Sequence, residues 1–120
     1  MDNKILLVAN WKANVVDLKL WLNSLRVSEL ESQKVEVAIA TPYPTLSLLS
    51  NLTTHQLTLA SQDVSAFSPG AYTGEVPAQL LSNLGVKYSL IGHSERRKYQ
   101  GETTEIGAQK LEACMQSKIT

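Results

Sequence analysis

The chain has 120 residues, 43% hydrophobic and 18% charged, with 11 acidic and 11 basic side chains and a single cysteine. That composition is enough for one modest globular domain. The balanced charge, without any Lys/Arg-rich block, argues against nucleic acid or a membrane surface as partner. Cys114 alone excludes an intrachain disulfide and a cysteine-based zinc site, and on a helical pattern it reads as a small core hydrophobe.

The N-terminal Met1-Asp2-Asn3-Lys4 lacks the basic region and cleavage site of a secretory signal. No run approaches the ~18 apolar residues of a membrane-spanning helix, so a cytoplasmic protein is expected.

In chain order, residues 5–9 form the first apolar run, continuous enough to predict a strand buried on both faces. Asn14 is placed to cap a helix, with Asp17 favouring its first turn. Leu18, Trp21, Leu22 and Leu25 then make one apolar stripe. A second strand is predicted over 35–40, and after Pro42 and Pro44 a short helix with Leu48, Leu49 and Leu52. Residues 57–60 make the third strand, followed by a polar loop over 65–75 containing Pro69-Gly70 and Gly74. Pro77 suits the first turn of the next helix, whose stripe is Leu80, Leu81 and Leu84, and Gly85 suits a left-handed cap. Residues 86–91 make the fourth strand. A last helix is predicted over 104–118, with Leu111, Cys114, Met115 and Lys118 on one side.

Strands alternating with helices imply parallel strands joined by right-handed crossovers, hence an α/β fold in a single unit over 1–120. Periodicity does not separate a doubly wound sheet from a piece of a (β/α)8 barrel. The lack of G-x-G-x-x-G after the first strand weighs against a dinucleotide site.

Parallel α/β folds place their sites at the C-terminal ends of strands. Strand one runs into Asn10-Trp11-Lys12, and strand four into Gly92-His93-Ser94-Glu95-Arg96-Arg97. Lys12 alone would pass for a solvated lysine, and His55 in a polar loop for a structural histidine. His93, at a strand end beside Ser and Glu, is the stronger site candidate. Trp11 and Trp21 read as wall residues rather than binding platforms.

Three motifs carry a resemblance. Asn10-Trp11-Lys12 followed by Asn14, then Gly70-Ala71-Tyr72-Thr73-Gly74-Glu75, then Ile91-Gly92-His93-Ser94-Glu95-Arg96-Arg97 resemble, in order and spacing, segments of the triosephosphate isomerase family. The resemblance spans essentially the whole chain and implies the N-terminal half of a (β/α)8 barrel: four parallel strands with four helices. It also implies interconversion of dihydroxyacetone phosphate and glyceraldehyde 3-phosphate in glycolysis and gluconeogenesis, through an enediolate, with no cofactor and no metal.

By the same resemblance His93 is the electrophile, a neutral imidazole donating to substrate oxygens, with a helix beginning near Ser94. Lys12 is the fixed cation facing the oxyanion and phosphate, and Asn10 adds a donor. Glu95 pairs with Lys12, and Ser94 holds the base at rest. The family's third loop reaches a neighbouring subunit of a homodimer. That makes Thr73 its tip and lets Glu75 and Arg96 pair across the contact, though on its own the segment is an ordinary Gly/Pro surface loop. Ala13 departs from the larger apolar residue common in the family's first motif.

The family's catalytic carboxylate, its lid and its phosphate-binding turns belong to later strands, so the chain is expected to be inactive alone. Strands one and four are expected to be open apolar edges. A non-catalytic half-barrel acting as an assembly module is the alternative, and another phosphosugar-handling barrel enzyme a more distant one.

Overall fold

The computed structural model describes residues 4–26, 34–52 and 57–120; His55 and the side chain of Leu52 lie outside the described residues. The elements are β1 (Ile5–Asn10), α1 (Leu18–Ser24), β2 (Val35–Thr41), α2 (Tyr43–Leu52), β3 (Thr58–Ser61), α3 (Ala78–Asn83), β4 (Val86–Ser89), α4 (Ser94–Gln100) and α5 (Thr104–Gln116). The strands form one parallel sheet in the order β1-β2-β3-β4. This is the predicted half-barrel α/β arrangement, and the short α4, whose start near Ser94 the resemblance implies, lies between β4 and α5.

Register aligns the strand ends that matter. Asn10 pairs with Ala40, Thr41 with Ser61, and Ser61 with Ser89, so all four strands finish along one edge of the sheet. Between β3 and β4 the register slips: Leu59 faces Val86 while Ala60 faces Tyr88, leaving Lys87 as the extra residue.

The two faces of the sheet differ in what they bury. Towards the helices, Leu46, Leu49, Leu59, Val64, Leu81, Val86 and Cys114 make the main core. Full burial of a side chain of this size contributes about 1.5–3 kcal/mol. On the other face Ala38, Ala40 and Ala60 are fully covered by Val8, Tyr88 and Leu90. Near the N-terminal ends of the strands, Glu36 accepts from Lys87, Tyr88 and Thr58. The Lys87 bond holds the Glu36 carboxyl below its usual range. Cys114 is buried, as expected of a core hydrophobe, and burial pushes its thiol up.

Several predicted faces are corrected. Ile5, Leu6 and Leu7 are 66%, 42% and 53% exposed, because β1 lies at the edge of the sheet and, among the described residues, pairs with β2 alone. The other edge is not open throughout: Ser89 N–H donates to Thr120 O and Thr120 N–H to Lys87 O, both at 3.0 Å. Helix α1 starts at Leu18, since Asp17 is its cap and accepts from Leu20 N–H, while Asn14 instead donates to Trp11 O. Its predicted stripe is the half-buried side, and Trp21 meets Trp11 edge-to-face at 4.8 Å. Leu48, Leu80, Leu111 and Met115 point outward. On α5 the buried positions are Lys110 and Cys114, with Gly107 and Ala113 partly covered, as is Ser117 just past its end, a face rotated away from Leu111.

No described helix is long and apolar enough to cross a membrane.

Candidate active site

At the C-terminal edge of the sheet, an open pocket of about 160 Å³ is lined by Asn10, Lys12, Thr41, Tyr43, Gln62, Asp63, His93, Glu95 and Arg96. Every strand contributes at or just beyond its end. The sequence elements named above meet here: the turn after β1 supplies Asn10 and Lys12, and the turn after β4 supplies His93 and Glu95.

Lys12 sits on backbone with φ +57°, in the left-handed region that a non-glycine residue adopts at a cost of about 1–3 kcal/mol. Two side chains hold it there. Lys12 N–H donates to Asn10 Oδ1 at 2.9 Å, and Gln62 Nε2 donates to Lys12 O at 2.8 Å. The Gln62 amide also reaches Ala40 O at 3.0 Å and Asn10 Oδ1 at 3.3 Å. The turn is thus tied to the ends of β1, β2 and β3.

Opposite, Gly92 has φ +68°, a backbone that favours glycine, and a Cβ there would press on the Arg97 guanidinium, the movable end of a side chain, at 3.1 Å. Arg97 Nε donates to Gly92 O, and Glu102 Oε1 accepts from Gly92 N–H at 2.9 Å. His93 follows as the cap of α4, its Nδ1 accepting from Glu95 N–H at 3.2 Å. An imidazole that accepts at Nδ1 carries its proton, when neutral, on Nε2. That nitrogen faces Lys12 Nζ at 3.0 Å.

Lys12 Nζ also bonds Glu95 Oε1 at 3.2 Å. An ammonium and an N–H that close cannot satisfy each other, since both donate. An oxygen with spare lone pairs seated beside them accepts from both, and negative charge on that oxygen strengthens each bond.

Beneath this turn lies a cluster that the motif reading missed. Arg96 bonds Asp63 at 2.9 Å and Glu102 at 3.0 Å, and Lys110 bonds the same two carboxylates at 2.6 and 2.7 Å. Burial alone would raise the Glu102 carboxyl, but the bonds from Lys110 and Arg96 outweigh it and set it below the ordinary range. Beside the cluster, burial pushes the Tyr43 hydroxyl well up. Arg96, expected to pair with Glu75 across a subunit contact, is engaged within the chain by Asp63 and Glu102.

Ser94 is the exposed first residue of α4, and Thr73 and Glu75 are exposed in the loop over 65–75. That loop is closed at its base by Ser65 N–H to Val76 O and stiffened by stacked Phe67 and Tyr72 rings.

A sequence profile described as triosephosphate isomerase matches residues 5–120. The chain belongs to the triosephosphate isomerase family. A protein named triosephosphate isomerase from Paracidovorax citrulli is 41% identical over 128 residues, covering 100% of this chain and 50% of that protein. One from Thermus thermophilus is 38% identical over 120 residues, covering 98% and 48% respectively. One from Delftia acidovorans is 39% identical over the same length, with the same coverage. The chain spans about half the length of these triosephosphate isomerases.

Proposed function

We propose that this chain is the N-terminal half of a triosephosphate isomerase, one α/β unit that supplies the electrophilic side of a site interconverting dihydroxyacetone phosphate and glyceraldehyde 3-phosphate. The observation that carries the reading is the approach of Lys12 Nζ to His93 Nε2 at 3.0 Å in the pocket at the strand ends. Proton transfer between adjacent carbons passes through an enediolate whose oxygens gain charge. Donors already aimed at that position stabilise the transition state without reorganising. Lys12 supplies a full positive charge to the enediolate and the phosphate, His93 the Nε2 proton, and Asn10 orients the Lys12 turn.

Glu95 holds Lys12 between turnovers, and Ser94, at the exposed start of α4, is offered as the group that holds the base at rest. Thr73 and Glu75, in the exposed loop over 65–75, form the subunit contact of a homodimer, with Arg96 behind them.

The base is the part this half does not supply. Both carboxylates lining the pocket, Asp63 and Glu95, are engaged by cations. Missing a positioned base costs about 10²- to 10⁴-fold, and missing the remaining substrate contacts costs more. The 120-residue chain alone is therefore inactive.

Fusing it to the C-terminal half of the Thermus thermophilus relative tests both statements. Turnover of glyceraldehyde 3-phosphate is expected from the fusion and not from the monodisperse chain. Turnover by the chain alone overturns its assigned inactivity, and a folded but inert fusion overturns the isomerase reading. A second reading, a non-catalytic assembly module, is favoured by the exposed Ile5, Leu6 and Leu7 on the edge strand. An inert fusion combined with stable self-association of the chain would support it.

A further inference from the structure

Among the described residues, the side chain with most bonds to the Lys12 turn belongs to neither strand-end motif. Gln62 directly follows β3, whose last residue, Ser61, is fully buried and bonded to Ser89. Its backbone is therefore fixed by the sheet. From there its amide nitrogen donates to Lys12 O at 2.8 Å and Ala40 O at 3.0 Å, and lies 3.3 Å from Asn10 Oδ1. Lys12 holds a left-handed backbone without being glycine. A strained conformation persists only where its surroundings over-determine it. Here the restraints are the Asn10 acceptor on one side of the residue and the Gln62 donor on the other.

We infer that Gln62 is a positioning residue: its amide holds the strained turn that aims the Lys12 ammonium at His93. The inference rests on the proposed isomerase reading for its kinetic consequence, but not for its structural one. Without the amide, the Lys12 and Ala40 carbonyls lose a shared donor and the turn relaxes towards negative φ. The ammonium moves with it. A displacement of about 1 Å in a reacting group costs on the order of 10²-fold in rate.

Gln62→Met keeps the length and removes the donor, and Gln62→Glu keeps the shape and puts an acceptor against two carbonyls. If the first fails to fold, the second carries the same readouts. Ser50→Ala, which deletes a side-chain bond to Leu84 O remote from the pocket, is the matched control.

In the labelled 120-residue chain, a positive φ at Lys12 gives a strong NOE between its own amide and α protons. This NOE weakens in either Gln62 variant and persists in Ser50→Ala. In the fusion, kcat falls about 100-fold in the Gln62 variants, and Ser50→Ala leaves it unchanged. A residue that only stabilised the fold would lower the melting temperature and leave kcat alone. An undiminished Lys12 NOE overturns the inference, and so does a weakened one with kcat within about twofold of wild type. If the wild-type fusion is inert, the isomerase reading fails, while the NOE still decides whether Gln62 holds the turn.

Discussion

In the fusion, Lys12→Met lowers kcat/KM by at least about 10³-fold while leaving the folded protein nearly as stable. One donor at a developing oxyanion contributes about 10²–10³ in rate. A full charge in a pocket that substrate has emptied of water contributes more than a neutral donor. The stability side is small because the Lys12 and Glu95 side chains are 43% and 54% exposed. An exposed pair of this kind contributes about 0–1 kcal/mol. Methionine at position 12 inherits the same backbone strain, so the turn is not relieved by the change. Steady-state kinetics beside urea unfolding separates the two quantities. A variant that lost stability in proportion to activity would mean that Lys12 is a structural residue.

Glu102→Ala gives the opposite pattern, a large loss of stability. The Glu102 side chain is 2% exposed and bonds Gly92 N–H, Arg96 and Lys110. Removing it leaves two cations sharing Asp63, and Lys110 is itself only 7% exposed. Breaking a buried pair from one side costs about 3–5 kcal/mol, and the unpaired Gly92 amide adds to it.

The pH dependence follows in sign. The folded carboxyl lies below its ordinary unfolded value. Its contribution is complete above that value and is lost as pH falls through the folded one. Wild type therefore loses stability on acidification through this window, and Glu102→Ala shows a shallower slope, with Glu36 supplying part of what remains. Urea midpoints measured from pH 7 downward test this. A variant within about 0.5 kcal/mol of wild type, with the same slope, contradicts the assigned role.

Much of this was legible in the sequence. Short apolar runs located each of the four described strands. Gly85 was readable as the left-handed residue after α3, and it has φ +80°. The helix starting at Ser94 and the Lys12–Glu95 contact, both implied by the family resemblance rather than by periodicity, are present in the structure.

What failed depended on three-dimensional neighbours. Ile5 to Leu7 read as doubly buried, but burial of a strand is set by what flanks it, and β1 has one partner among the described residues. Leu48, Leu80, Leu111 and Met115 fitted helical stripes, yet the sheet chose the adjacent face in each case. The Asp63, Arg96, Glu102 and Lys110 cluster joins residues up to 47 positions apart, and pairwise motif reading has no access to such contacts. One signal was present: Lys110 lies one helical turn from Cys114, so a lysine occupied the core-facing stripe and required a buried partner. Gln62 carried no comparable signal, since its importance comes from a strained residue 50 positions away.

A double-mutant cycle in the fusion, with Lys12→Met, His93→Gln and the pair, tests most directly whether the two side chains serve one anion. If both donate to the same forming oxygen, the effects are far from multiplicative, and the double variant retains kcat/KM within about tenfold of the more damaged single one. Losses that multiply would mean that Lys12 and His93 act on separate atoms, and the shared pocket would then not be the source of catalysis.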